Sequence, residues 1–107
     1  MNKEKIILVY ITNPNLSTAK KVVTHLLKKR LIACANFWPV SSAYWWQSKI
    51  TNGKEVVILA KTTLSNWNKI KTEIKTIHPY SVPCVIKLSA KANVEFGEWI
   101  MKNVDKN

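Results

Sequence analysis

The sequence lacks most features that mark an exported, membrane-bound or multidomain protein. Its 107 residues contain only two cysteines, two glycines and four prolines, and no internal repeat or low-complexity run divides them. The apolar run Ile6–Ile11 is far shorter than the roughly 18 residues of a membrane-spanning helix, and no small-residue cleavage site follows it. We therefore predict one domain over residues 1–107, with reduced thiols, a cytoplasmic location and no membrane partner.

Acidic residues are also scarce: the chain has 6 of them and 17 basic residues, so its net charge is +11. Such an excess is typical of proteins that bind nucleic acid. Only Arg30 is an arginine, however, and arginine is the side chain that forms paired hydrogen bonds with phosphates and base edges. The lysines are spread singly or in pairs over every segment, so a lysine-rich solvated surface is favoured over nucleic-acid binding.

Signatures of enzymes are absent as well. The chain has no glycine-rich phosphate loop and no GxSxG elbow. None of its carboxylates stands close in sequence to a cysteine or histidine; they are Glu4, Glu55, Glu73, Glu95, Glu98 and Asp105. We expect no catalytic activity and no catalytic residues.

Hydrophobic periodicity predicts the element order strand, helix, strand, strand, helix, strand, helix. The strands are predicted over residues 6–12, 31–46, 55–62 and 84–90. Pro39 predicts a bend or bulge, and Asn52-Gly53 is the strongest short signal for a hairpin turn. The order is that of an α+β, ferredoxin-like split βαβ domain with an added C-terminal helix. Its antiparallel sheet has the order 4-1-3-2, with both main helices on one face.

This topology conflicts with the composition of the central strands. A sheet covered on one face should alternate apolar and polar residues, yet "IILVYI" and "VVILA" are apolar on both sides. A second layer must cover the other face, and the short terminal helix is too small to do so. The pattern predicts an oligomer in which another copy of the chain supplies the cover.

Four residues could bind a soft metal ion: His25, Cys34, His78 and Cys84. His25 falls on the lysine face of the first helix, where a solvated histidine is expected. Cys34 taken alone is typical of core packing. His78 precedes a turn rigidified by two prolines, and it either caps the second helix as an imidazolium or binds a ligand.

The two cysteines lie on the two edge strands of the predicted sheet. An intramolecular disulfide is therefore not expected. An oligomer that joins sheet edges would bring Cys34 of one subunit near Cys84 and His78 of its neighbour. Only assembly could create a cluster of soft ligands here.

The aromatic stretch Tyr44-Trp45-Trp46 could suggest a base-stacking surface. On a strand, however, Tyr44 and Trp46 share one face and Trp45 takes the other. We interpret Tyr44 and Trp46 as anchors against a neighbouring subunit, close to the loop that begins at His78, and leave the role of Trp45 open.

Five stretches, in this order and spacing, resemble the CutA family of divalent-cation-tolerance proteins. They are "TNPN" after the first strand, "RLIACANFWP", the Tyr44-x-Trp46-x-x-Lys49 segment, "KTT" and "HPYSVP". The resemblance covers nearly the whole chain. It implies a ferredoxin-like subunit in a homotrimer whose sheets face inward, with a function in the response to copper and other divalent metal ions.

The resemblance also implies where ligands bind. A metal site for copper or another divalent cation would use His78 and Cys34, which match the family pattern, and Cys84, which replaces the family's usual glutamate with a soft ligand. Ile11 and Ile77 stand where copper-associated bacterial members have a cysteine and a histidine. The intersubunit cleft would be lined by Tyr44, Trp46, Lys61, Thr62, Thr63, Tyr80 and Pro83. The alternative is a non-metal signalling trimer built like the PII proteins, in which Lys61, Thr62, Thr63 and Tyr80 bind a small anion.

Overall fold

The computed structural model of the chain describes residues 5–105. Its elements are β1 (Ile6–Asn13), α1 (Leu16–Lys28), β2 (Cys34–Trp46), β3 (Lys49–Thr63), a single 3₁₀ turn (Leu64–Asn66), α2 (Trp67–Ile77), β4 (Val85–Ala90) and α3 (Val94–Asn103). The four strands form one antiparallel sheet in the order β2-β3-β1-β4. The predicted α+β, ferredoxin-like fold and its strand order are confirmed.

Helix α1 is closed by local signals at both ends. At its start the Asn15 side chain accepts a hydrogen bond of 2.8 Å from the Thr18 N–H. At its end Arg30 takes a left-handed conformation with φ 58°, and the Leu31 N–H donates to the Leu26 carbonyl at 3.0 Å. This Schellman arrangement turns the chain back, so that Leu31 enters the core with only 4% of its surface exposed.

The core lies between α1, α2 and one face of the sheet. Alternate residues of β1 point into it, and Ile7, Val9 and Ile11 are all at most 1% exposed. Helices contribute Leu26 and Ile74 among others, both fully buried in the same cluster. Burial of each such side chain stabilises the fold by about 1.5–3 kcal/mol, which explains why these helices lie flat on this face.

The β2–β3 hairpin turns at a different place from the predicted one. The loop consists of Gln47 and Ser48, whose φ angles are 49° and 63°. Two left-handed residues in a two-residue loop make a type I′ turn. Asn52 and Gly53 instead lie inside β3, so the prediction of a turn there is wrong.

Pro39 introduces no bulge, so the bulge offered by the prediction of a bend or bulge is excluded. The register runs without interruption from Cys34 opposite Lys61, through Pro39 opposite Val56, to the end of the hairpin. Strand β2 is an edge strand, where proline is tolerated because one side of the strand has no ladder partner in the chain.

The sheet face opposite α1 and α2 carries apolar side chains that are only partly covered. In the register, Leu8 pairs with Leu88 and Tyr10 with Ile86 on this side. Ile86, Leu88 and Trp38 are 48%, 45% and 41% exposed. We call the side chains of Leu8, Tyr10, Trp38, Ile86 and Leu88 the open face. Its apolar character agrees with the expectation that central strands are apolar on both sides.

Helix α3 lies across one end of the sheet. Ile100 is 1% exposed, and the Lys61 ammonium lies 5.4 Å from the Phe96 ring centre. After the helix, the Asp105 N–H donates to the Arg30 carbonyl at 2.8 Å, which fastens α3 to the end of α1. Among residues 5–105, none of the helices is both long and apolar enough to cross a bilayer.

Candidate functional site

His78 is the most buried of the predicted site histidines and cysteines. Its backbone N–H ends α2 by donating to the Ile74 carbonyl at 2.9 Å, and the residue is 8% exposed. The Tyr80 N–H donates to Nδ1 at 3.1 Å, so Nδ1 carries no proton. The proton therefore resides on Nε2, which lies 2.9 Å from the Thr12 carbonyl and 3.2 Å from Asn13 Oδ1.

The environment keeps this imidazole neutral. Burial lowers the pKa of His78, and the hydrogen bond to the Thr12 carbonyl and the charge of Glu55 oppose it with smaller effects. The interpretation of His78 as a charged helix cap therefore does not hold. Both ring nitrogens are engaged within one chain, so a metal ion could bind either of them only by replacing a hydrogen bond.

Asn13 connects three segments beneath His78. It is fully buried at the end of β1, and its amide donates to the Val56 carbonyl at 3.1 Å and to the Ile11 carbonyl at 3.3 Å. Its Oδ1 faces Nε2 of His78. The sequence carried a signal for this role in the "TNPN" motif, but Asn13 was not among the predicted site residues.

Tyr80 and Glu55 complete the group. The Tyr80 hydroxyl donates to Glu55 Oε2 at 2.8 Å. Burial and, next, this bond raise the pKa of Tyr80 to about 12, so the phenol stays protonated. Glu55 is distant from both residues in the sequence, yet the fold brings its charge close enough to act on both Tyr80 and His78. We call Asn13, Glu55, His78 and Tyr80 the HPY cluster.

The predicted aromatic anchors lie at the far end of the hairpin. Tyr44 and Trp46 are 46% and 61% exposed, and Trp45, on the opposite face and paired with Ile50, is 73% exposed. The Tyr44 hydroxyl lies beside Gly53 of its own β3, and its electrostatic effect is the smallest of those that raise the pKa of Tyr80. Contact of these rings with a neighbouring subunit stays a prediction.

The donors predicted for a small anion are already in use. Thr62 is fully buried and donates to the Leu31 carbonyl at 2.6 Å, and the Thr63 hydroxyl lies 3.2 Å from that of Ser65. Lys61 stands over the Phe96 ring. In this conformation the three residues hold the end of β3 in place, and the two hydroxyls are not open to a ligand.

The two thiols are separated in one chain, as the strand order predicts. Cys34 is the first residue of β2 and Cys84 directly precedes β4, so they lie at opposite edges of the sheet. Both are free and half-buried, as is the neighbouring Pro83. Within residues 5–105, no three His, Cys, Asp or Glu side chains come together as a metal site. A site that contains both thiols therefore requires a second subunit.

His25 does not behave as the solvated residue that the lysine face suggested. Its Nε2 lies 2.6 Å from Glu73 Oε1, which Lys29 also approaches at 3.2 Å. The hydrogen bonds from His25 and then Lys29 lower the pKa of Glu73. This group joins α1 to α2 on the outer layer, away from the open face.

Comparison with known proteins agrees with the motifs. The model of the CutA1 divalent ion tolerance protein family matches residues 7–103. The chain belongs to this family. A divalent-cation tolerance protein CutA from Thermococcus kodakarensis is 41% identical over 97 residues, which are 90% of this chain and 93% of that protein.

Solved CutA1 structures match the fold over almost the whole chain. The protein from Pyrococcus horikoshii superposes with a TM-score of 0.90 at 40% identity, covering 94% of this chain and 99% of that one. The protein from Oryza sativa gives 0.95 at 31% identity and covers 98% of each chain. A CutA relative from Archaeoglobus fulgidus is described as periplasmic, and the cytoplasmic location of the present chain stays a prediction.

Proposed function

We propose that this CutA-family chain acts in divalent-cation tolerance as a homotrimer that binds soft metal ions, copper foremost, at its subunit junctions. Each junction would combine Cys34 of one subunit with Cys84 of the next. The observation that carries this proposal is the position of two free thiols at opposite edges of one sheet.

The open face and the two free edges support a cyclic assembly. An edge strand leaves unpaired N–H and C=O groups, and a ring that joins the β2 edge of one copy to the β4 edge of the next satisfies them. The same ring turns the open faces inward, which removes Ile86, Leu88 and Trp38 from water. Such a ring has one β2–β4 junction for every subunit.

The donor chemistry supports a soft ion. Thiolates prefer Cu(I) over hard divalent cations, and a thiol must lose its proton to bind. One chain offers a single thiol at each edge, so the junction is where two can meet. His78 remains a predicted ligand. Both of its ring nitrogens already form hydrogen bonds that hold the loop leading to Cys84, so we assign it a structural role before a role in metal binding.

The test is a Cu(I) titration of the reduced protein in the presence of a chromophoric competitor. Wild type should bind Cu(I) tightly, with ultraviolet absorption from thiolate-to-copper charge transfer. The Cys34→Ser, Cys84→Ser double variant should lose at least about tenfold in affinity and should lose that absorption.

A matched control is His25→Gln, which removes a possible ligand outside the junction and should leave Cu(I) affinity unchanged. The mass and melting temperature of each variant show whether the assembly is intact. Equal Cu(I) affinity in wild type and in the double thiol variant would rule out the proposed ligands.

A further inference from the structure

A groove of about 880 Å³ lies between the start of β1, the end of β4 and helix α3. Its volume is within the range of about 300–1,000 Å³ that is usual for small-molecule sites. Apolar side chains form much of its wall, including Ile6, Leu64, Val94 and Met101. The HPY cluster and both thiols lie outside it.

The groove has an excess of positively charged side chains. Lys5, Lys87 and Lys91 line it, and Glu98 is the single carboxylate among the lining residues. Within residues 5–105 neither Lys87 nor Lys91 forms a salt bridge, and the Lys87 ammonium stands 5.5 Å from the Trp67 ring centre. Positive charge beside apolar walls attracts an anion more strongly than it does in open solvent.

We propose that this groove binds a small organic anion with an apolar body, such as an aromatic or medium-chain carboxylate, sulfonate or phosphate ester. The head group pairs with Lys87 and Lys91, and the body lies against Val94 and Met101 of α3. This site is independent of the proposed metal junction and requires no metal ion.

Gly97 offers a way to fill the groove without disturbing the core. It is a buried lining residue inside α3, and a Cβ placed on it would meet only the Cβ of Ala92, at 3.9 Å. Gly97→Leu therefore meets no clash at its Cβ, directs the rest of the side chain toward the groove, and replaces a poor helix former with a good one. The variant should fold and should occupy the space that the ligand body needs.

The probe is anilinonaphthalene sulfonate, whose fluorescence reports binding to the intact protein, with 1-naphthoate and the uncharged 1-naphthalenemethanol as competitors. The proposal predicts that naphthoate displaces the probe at a concentration at least about tenfold lower than the alcohol does. The double variant Lys87→Gln, Lys91→Gln should bind naphthoate with an affinity at least about tenfold lower than that of wild type. The control pair Lys20→Gln with Lys21→Gln removes the same charge from α1 and should change nothing.

Gly97→Leu should abolish displaceable probe binding while the melting temperature stays at or above that of wild type. If its melting temperature falls instead, Ala92→Leu in the exposed segment before α3 provides the second blocking variant. The proposal is overturned if naphthoate and the alcohol compete equally, if the Lys87/Lys91 pair binds like wild type, or if a folded blocking variant binds undiminished. Cu(I) affinity is expected to be the same in all these variants, so the two proposals fail separately.

Discussion

His78 holds the loop between α2 and β4, residues 78–84, in place only while its imidazole is neutral. Its Nδ1 accepts the Tyr80 N–H, and its Nε2 donates to the Thr12 carbonyl. A second proton on the ring would place two donors face to face at Nδ1, which costs the hydrogen bond and buries a charge. The residue therefore links the geometry of the loop before Cys84 to pH.

The stability of the protein should fall as the pH drops below about 6.5. Burial lowers the folded-state pKa of His78 below its usual 6.5, so the unfolded chain binds more protons between that lowered value and 6.5. The contribution of His78 to the free energy of unfolding is therefore complete above this interval and is lost as the pH falls through it. Urea unfolding at one fixed protein concentration, from pH 8 to pH 5, measures the slope.

His78→Gln should flatten that slope, since it removes the titrating ring. Lys20→Gln is the control, because it places the same glutamine at an exposed position of α1 and leaves both imidazoles in place, and it should retain the wild-type slope. The pKa of Glu73 is lowered from 4.5, so protonation of Glu73 changes the stability only below pH 4.5, outside the pH range of the measurement. A wild-type slope that survives in His78→Gln would contradict the assignment.

At the scale of elements, the hairpin turn contains two residues in an unfavourable backbone conformation. Gln47 and Ser48 both have positive φ, and a left-handed conformation costs a side-chain-bearing residue about 1–2 kcal/mol. Gln47→Asn with Ser48→Gly places the best type I′ residues there and should raise the free energy of unfolding by about 1 kcal/mol. Urea unfolding at constant protein concentration provides the measurement.

Gly53→Ala distinguishes the observed turn from the one that the sequence predicts. In β3 an added Cβ meets only Tyr44, at 3.6 and 3.9 Å, and alanine is preferred over glycine inside a strand, so no loss of stability is expected. If Gly53 occupied a type I′ turn, the alanine would be destabilising. A loss of about 1 kcal/mol or more in this variant would refute the hairpin register.

Particular elements show how far the sequence could predict the structure. The β-branched run of β1 and the three-and-four spacing of α1 predicted both elements, because burial of one face explains each pattern. The turn was misplaced because Asn-Gly is a local preference, and thirteen pairs of the long hairpin ladder override it. Asn13 and Glu55 escaped prediction because their partners are distant, at separations of 65 and 25 residues.

At the scale of the whole molecule, the open face is the apolar surface that a single chain does not bury. Leu88 and Ile86 on β4 carry exposed aliphatic surface on the side away from α1 and α2. Leu88→Asp should therefore convert the proposed trimer to monomer, because burial of an unpaired carboxylate in an apolar interface is strongly unfavourable. Sedimentation equilibrium gives the mass directly.

Leu27→Asp is the matched control for that prediction. Leu27 is 39% exposed on α1, in the outer helical layer, so the same change of side chain should leave the trimer mass unaltered. A Leu88→Asp protein that remains as tightly associated as wild type would show that the open face does not form the interface. Wild type that sediments as a monomer would do the same.

The most direct test of the central claim uses mixed trimers of two variants, Cys34→Ser and Cys84→Ser, assembled together and titrated with Cu(I). A mixed ring contains one junction where an intact Cys34 meets an intact Cys84 of the next subunit, whereas a ring of either variant alone contains none. The account predicts one tight thiolate–Cu(I) site in each mixed trimer and none in the unmixed ones. Mixed trimers that bind Cu(I) no better than the unmixed trimers would contradict it.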